Sequence, residues 1–397
     1  MANETGFENS SILLFEETTE GETPTTIAVG YAVNALELSF DINQRTEENV
    51  LLGAGGQPSK MDTGGEDPSG SIGLKCTPDS DTLTTNWQVG RYTTKTTNND
   101  AHATATAYVA DDVVVLGGTD VLVCKTAGTS DATNTALLVA VAAGVTGDEL
   151  TDNTVTWVVT KGKTAVYDYV CPLSKDVPTL GQIITDITVQ GAGVTTKILG
   201  RGLSLTNKMF GKESGMIIAK NTHSVVAHGA IPSITTGYVA PTVTATTTLG
   251  NDPYKRDDIC VTIDGVAVKQ IETLSFTLET ATTIDDAVSC LTVAGVKVSE
   301  KITTRGIPTL KGSASIRFSV EEWTKAIANT EQEVVITYSK ATGEKTVYTL
   351  PRVQLIDPKR KYDKSKPIVL DNTLVAYGDA TTPALTVTVR SFLNYTK

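Results

Sequence analysis

The chain has 397 residues, a formal net charge of −12 and a sequence pI near 4.8. That balance argues against a protein that grips nucleic acid or sits on an anionic membrane, since both need clustered Lys and Arg; it leaves room for a surface past which DNA slides. Apolar runs such as "ALLVAVAAGV" (136–145) are too short to span a bilayer, and "MANETGFENS" has neither the basic start nor the apolar stretch of a secretion signal. The five cysteines, Cys76, Cys124, Cys171, Cys260 and Cys290, lie far apart and never as C-x-x-C, which suits reduced and mostly buried thiols. Abundant Thr and Val, frequent Gly and few Lys or Glu blocks predict an all-β dominated fold with short helices.

The first clear strand is "LELSFD" (36–41), with Leu36, Leu38 and Phe40 on one face and Glu37, Ser39 and Asp41 on the other. A polar Gly/Pro-rich stretch, "GGQPSKMDTGGEDPS" (55–69), reads as a long loop. It leads into "GSIGLKC" (70–76), a second strand opened by Gly70 and Ser71. "TPDSDTL" then predicts a short helix with Thr77 as N-cap and Pro78 in the first turn, where its missing N–H costs nothing.

At about Trp87 the pattern breaks, and residues 88–172 read as an inserted β module of short strands with Gly/Asp turns. The first pattern resumes at "GQIITDITV" (181–189), "TTKILGRGLSL" (195–205), "GMIIAK" (215–220) and "HSVVAHG" (223–229). A Pro/Thr-rich stretch at 238–258 reads as a linker.

The phrase then returns. "LSFTLE" (274–279) alternates as "LELSFD" does, so Leu274, Phe276 and Leu278 are aligned with the first apolar set, and Ser275, Thr277 and Glu279 with the polar one. After another polar stretch, "SEKITTRGIPTLK" (299–311), comes "GSASIRF" (312–318), opened by Gly312 and Ser313. On this alignment Leu38 and Gly70 are 32 residues apart and Phe276 and Gly312 are 36, a four-residue difference. "SVEEWTKAIAN" (319–329) has capping-box spacing at Ser319 and Glu322, with Trp323 and Ile327 on one face. A hairpin over 333–350 turns at Ala341–Gly343, and "ALTVTVRSF" (384–392) closes the chain as a strand. The organisation predicted is an N-terminal arm (1–29), a first domain (30–87 with 173–237), the module (88–172), the linker (238–258) and a second domain (259–397).

Catalytic chemistry finds no anchor. His223 and His228, five apart in strand-like sequence, would face opposite ways, and His102 stands alone, so no metal site is expected. No G-x-S-x-G elbow occurs, and "GAGG" (53–56) and "GRG" (200–202) lack the residues of a phosphate loop. The acidic pairs at 111–112, 257–258 and 285–286 read as solvated turns. "DPKRKYDKSKP" (357–367) is the one basic cluster, a charged loop or a contact meeting an acidic neighbouring subunit.

The phrases "SFTLETATTIDD", "GIPTLKGSASIRFSVEEWTKAIAN" and "EVVITYSKATGEKTVYTLPRVQLID" resemble the major tail tube proteins of siphophages. There a Gly-rich "G-S-x-S" strand precedes a short aromatic-containing helix, and a hairpin ends in "LP-x-V", here Leu350, Pro351, Arg352 and Val353. "ITVQGAGVTTKILGRGLSLT" resembles that family's "G-x-R-V-x-S-L" stretch, with Gly200–Leu205 departing at the Val-x position. The insert resembles a small β module that decorates phage virion proteins, without its usual "E-P-x-W".

The resemblance implies two tube-type sandwich or barrel domains in one chain, so that a homotrimer makes a pseudo-sixfold ring. Such rings stack into the tail tube that conducts DNA during ejection, assembled in the host cytoplasm and carried in the virion. Expected partners are other copies, the tape measure and terminator proteins, and DNA passing without specific binding. No enzyme activity, cofactor, metal, membrane or small-molecule substrate is implied. Glu37, Ser39, Asp41, Ser275, Thr277 and Glu279 are the candidate lumen-facing residues, and segments 42–69, 280–309 and 1–29 the candidate stacking elements. The alternatives are another β-rich virion component (tail terminator, baseplate hub or head decoration protein) or a surface-layer or adhesin-type binding protein.

Overall fold

In a computed structural model, residues 10–22, 24–33, 35–41, 44–49, 60–66, 68–187, 195–212, 218–232, 241–250, 252–268, 271–287, 292–293, 296–297, 300–362, 367–379 and 381–397 are described. Strands dominate, as composition predicts. In chain order they are β1 (Ser10–Glu16), β2 (Thr26–Val33), β3 (Ala35–Asp41), β4 (Gln44–Asn49), β5 (Lys60–Glu66), β6 (Ser69–Lys75), helix α1 (Pro78–Thr84), and β7 (Thr94–Asn98). Then come β8 (Ala107–Tyr108), β9 (Val113–Leu116), β10 (Asp120–Thr126), β11 (Gly128–Thr129), α2 (Thr135–Ala143), β12 (Glu149–Asp152) and β13 (Val155–Thr160). After β14 (Val166–Pro172) the first pattern resumes with β15 (Leu180–Ile187), β16 (Thr195–Leu205), β17 (Asn207–Lys212), β18 (Lys220–Val226), β19 (Gly229–Pro232) and β20 (Thr242–Thr248). The remainder is β21 (Ile259–Ile263), β22 (Val266–Ala267), β23 (Ile271–Glu279), β24 (Thr282–Ala287), β25 (Thr292–Val293), β26 (Val296–Lys297), β27 (Glu300–Arg305), β28 (Thr309–Arg317), α3 (Val320–Ile327), β29 (Glu331–Ser339), β30 (Lys345–Lys361), β31 (Val369–Ala376) and β32 (Thr386–Ser391).

One sheet runs β2-β1-β15-β16-β18-β6-β3, and the other runs β22-β21-β29-β30-β31-β28-β23. Numbered within each half, both read second, first, fifth, sixth, seventh, fourth, third. The helix follows the fourth strand each time, and a short eighth strand lies against the sixth: β19 on β16, β32 on β30. The chain is therefore two units of one topology.

The irregularities repeat as well. A bulge interrupts the third-to-fourth pairing between Ala35 and Glu37, and again between Ile271 and Thr273. Another interrupts the fifth-to-sixth pairing between Leu180 and Gln182, and again between Gln332 and Val334. The second bulge sits opposite Gly200–Leu203 in one unit and Leu350–Val353 in the other. "GRGL" and "LPRV" thus occupy one position in the topology. Pro351 is tolerated there because a bulge spares the ladder a donor.

Register corrects the alignment drawn from alternation. Ser39 and Phe40 lie opposite Ser71 and Gly70, while Ser275 and Phe276 lie opposite Ser313 and Gly312. Phe40, not Leu38, is the counterpart of Phe276; Ser39 matches Ser275 and Asp41 matches Thr277. Phe40 and Gly70 are 30 residues apart, against 36 for Phe276 and Gly312, so the lengths differ by six. The glycines are there for space: a Cβ on Gly70 would lie 2.1 Å from the Ser39 carbonyl oxygen, and one on Gly312 2.4 Å from that of Ser275. From these glycines to the helix N-caps Thr77 and Ser319 is seven residues in both units.

Other segments differ from expectation. The arm over 1–29 contains β1, which pairs with β15 from Ser10↔Asp186 to Glu16↔Leu180 and supplies Ile12 and Leu14 to the first core. The linker over 238–258 contains β20, parallel to β2. The loops over 42–69 and 280–309 hold the antiparallel hairpins β4–β5 and β24–β27, both between the third and fourth strands of their units.

The inserted stretch divides. Its centre has its own sheet, β12-β13-β10-β9, and a separate core built on Tyr108, Leu122, Trp157 and Val159. The apolar run within 136–145 forms α2 rather than a strand. Its flanks β7 and β14 pair with each other, and β14 pairs with β32, so the insertion grips the second unit. Arg390 clamps Asp168 there through Nε and Nη2 at 2.7 and 2.9 Å.

The units also exchange chain. β17 leaves the first sheet and pairs with β23, placing Phe210 flat on Tyr348 at 4.3 Å and near Phe276 at 5.6 Å. In return Leu393 and Tyr395, past β32, enter the first core. Each buried side chain of this size contributes about 1.5–3 kcal/mol, so the exchanges bind the units strongly.

Candidate functional site

The candidate lumen residues lie on the third strands. On β3, Glu37, Ser39 and Asp41 are exposed, and Leu38 and Phe40 turn partly inward. Leu36, assigned by alternation to the apolar face, is 40% exposed because the bulge falls on it. On β23, Glu279 is exposed whereas Ser275 and Thr277 are half-buried. The cause is β17: β23 has a strand on each side, and β3 pairs with β6 alone among the described strands.

One motif is common to both surfaces. The Ser39 and Ser71 hydroxyls lie 3.3 Å apart across β3 and β6; those of Ser275 and Ser313 lie 3.1 Å apart across β23 and β28. Each pair stands on the face opposite a phenylalanine ring, half-buried Phe40 in one unit and buried Phe276 in the other. The serine pairs make each face small and polar at its centre, with carboxylates along it at Glu37, Asp41 and Glu279. The second face also carries a cation, exposed Lys311 opposite Thr277, so that carboxylates outnumber cations on these surfaces without excluding them. Lys220 is the nearest cation to Glu37, at 4.0 Å.

Behind the first unit's helix lies a buried polar centre that sequence reading did not single out. Lys208, from β17, is fully buried with its Nζ 3.9 Å from Asp81 on α1. The ammonium donates to the Thr84 and Thr85 hydroxyls at 3.2 and 3.4 Å and lies over the Tyr348 ring at 5.4 Å. Asn221 donates to Asp81 at 3.3 Å. Burial pushes the Asp81 carboxyl up, with the Lys208 charge opposing; burial pushes the Lys208 ammonium down, with Asp81 opposing. Nearby, the buried His223 ring is hydrogen-bonded to Gln88 at 2.9 Å and is pushed down to about 3 by burial and then by Lys208. It is a neutral core histidine.

This centre draws on α1, the π-helical turn Thr85–Val89, β17, β18 and β30, so it spans both units. A buried ion pair of this kind adds little net stability, but loss of one partner is costly, which fixes how the units dock. "NKMFGK" gives no local sign of it, since a lysine at an alternating position normally reads as exposed.

Among the described residues Cys76, Cys124 and Cys171 are buried free thiols and Cys260 is an exposed one. His102 meets Asp152 at 3.1 Å beneath a cleft of about 290 Å³ in the module, lined in part by Asn99, Asn134 and Leu138. His228 approaches Glu20 at 3.2 Å and does not meet His223's partners. Among the described residues no grouping of His, Cys, Asp and Glu could hold a metal ion. No protein-family model matches the chain, and no curated protein matches it.

Proposed function

We propose that this chain is a tail-tube-type structural protein whose molecules close, three at a time, into a hollow pseudo-sixfold ring, and that the rings stack into a conduit for DNA. The observation that carries this reading is the doubling: two eight-strand units share strand order, two bulges and a serine-paired face. Three chains so built present six equivalent sheets to one axis. The hydroxyl-lined faces with flanking carboxylates suit a wall that DNA passes without adhering. The hairpins β4–β5 and β24–β27 project from equivalent points of both units and are the proposed contacts between successive rings. The virion tail is the proposed location, and other tail proteins are the proposed end partners.

Negative-stain electron microscopy of the purified protein tests this reading. Hollow rings, stacked or single, with six lobes around the hole are expected; solid monomeric particles at all concentrations would rule it out. Once tubes form, Glu279→Lys places a cation beside the serine face and should slow DNA release from assembled particles.

A further inference from the structure

The two third strands differ in one respect: β23 is covered along its outer edge by β17, and β3 has no such cover among the described strands. An uncovered edge is a template for another strand. The strand that covers β23 departs from a definable point. The first unit's sixth strand pairs with β18 as far as Leu205↔Val225, and then runs along β23 from Asn207↔Glu279 to Lys212↔Leu274.

The same point can be found in the second unit. Val225 lies opposite Gly70 as Leu374 lies opposite Gly312, so Leu205↔Val225 corresponds to Leu355↔Leu374. Just beyond, between Ile356 and Lys359, the second unit's ladder is broken by a bulge, with Asp357 at φ 52°. Past the bulge lie Lys359, Arg360 and Lys361, all exposed. They pair with β31 on one side; on the other, β29 has already ended at Glu331↔Gln354. A second free edge therefore sits where the first unit sends β17 to a neighbour.

Charge matches. β3 presents Glu37 and Asp41, and the 359–361 segment presents three cations. Arg360 is held in place by its own helix, its guanidinium 4.1 Å from the Trp323 ring centroid and 4.6 Å from that of Phe318. Counting from Leu205 and Leu355, Met209 corresponds to Lys359; Met209 pairs with Thr277, which corresponds to Asp41.

We propose that the occupant of the β3 edge is residues 359–361 of a second copy of this chain, with Lys359 opposite Asp41. The contact repeats between molecules what β17 and β23 make within one, and it rests on the ring reading above. Being head-to-tail, it uses two different surfaces and closes when the rotation closes. A three-chain ring then has three internal and three external contacts of one kind.

A paired-cysteine experiment tests it, with Cys260→Ser and Cys290→Ser in every variant to remove the native cysteines other than the three buried ones. Asp41→Cys with Lys359→Cys in one chain, oxidised after assembly, should give covalent dimers and trimers on a non-reducing denaturing gel, and neither single variant should. In parallel, Glu37→Lys with Asp41→Lys should lower ring yield at least tenfold, and adding Lys359→Glu with Lys361→Glu to the same chain should restore it. Rings that form from the parent protein while the paired variant stays single-chain, or while the one-sided charge variant still closes, would overturn this contact and leave the tube reading standing. A parent protein that forms no rings would sink both.

Discussion

Helices α1 and α3 are the same element twice. Both follow the fourth strand, and both start from a capped hydroxyl: Thr77 accepts from the Ser80 N–H at 3.1 Å, and Ser319 from the Glu322 N–H at 3.1 Å. Their surroundings differ completely. In α1 only Asp79 escapes burial, whereas in α3 only Ala326 is buried, and Val320 and Ile327 are 73% and 59% exposed. Four residues past each cap stand Asp81 and Trp323. Asp81 meets the buried Lys208, and Trp323 meets the exposed Arg360. A doubled unit can thus keep its topology while one copy turns an outward helix into a docking element. The docking site is made by β17, the strand that crossed over.

The largest effect should come from breaking that asymmetry at its charged centre. Lys208→Met leaves the Asp81 carboxyl buried without its cation and should cost about 3–5 kcal/mol in a denaturant titration. Arg360→Met, at the exposed site, should cost no more than about 1 kcal/mol. Equal losses would mean that the two helices are equivalent after all.

His223 supplies a pH signature specific to the first unit. Its ring resists protonation down to about pH 3 in the folded chain, while the unfolded chain takes the proton near pH 6.5. Stability is therefore lost as pH falls below 6.5, by about 2 kcal/mol from this group at pH 5. His223→Phe should flatten that part of the profile, measured by urea unfolding at pH 7 and pH 5.

The glycines sharpen the comparison with a smaller effect. Gly312→Ala forces a methyl against β23, which is held between two strands, and should cost about 2 kcal/mol. Gly70→Ala meets β3, free to move outward, and should cost about 1 kcal/mol by the same measurement. The reverse order would argue that β3 is the more tightly held of the two strands.

Much of this fold is legible in the sequence, and the failures have identifiable causes. The phrases around Gly70 and Gly312 mark the repeat because tight backbone approach to Ser39 and Ser275 admits only glycine. Alternation fixes faces but not register, since a shift of two residues leaves every face unchanged; hence Leu38 stood in for Phe40. The bulge that exposes Leu36 leaves no mark in a period of two. β20 reads as a linker because its Thr-rich residues are stabilised by parallel pairing with β2, more than 200 residues away in the chain. β1 likewise reads as an arm because its partner β15 lies beyond the insertion. The serine pairs could have been found by setting "LSF" on "LSF". The Asp81–Lys208 centre could not, because its members come from distant elements and have no common spacing.

The central claim is that one chain carries two ring positions, and the mass of the closed ring tests it most directly. Native mass spectrometry of single rings should give three times the 41.9 kDa chain mass. A closed ring of six chains would mean that only one unit per chain faces the axis, contradicting the account.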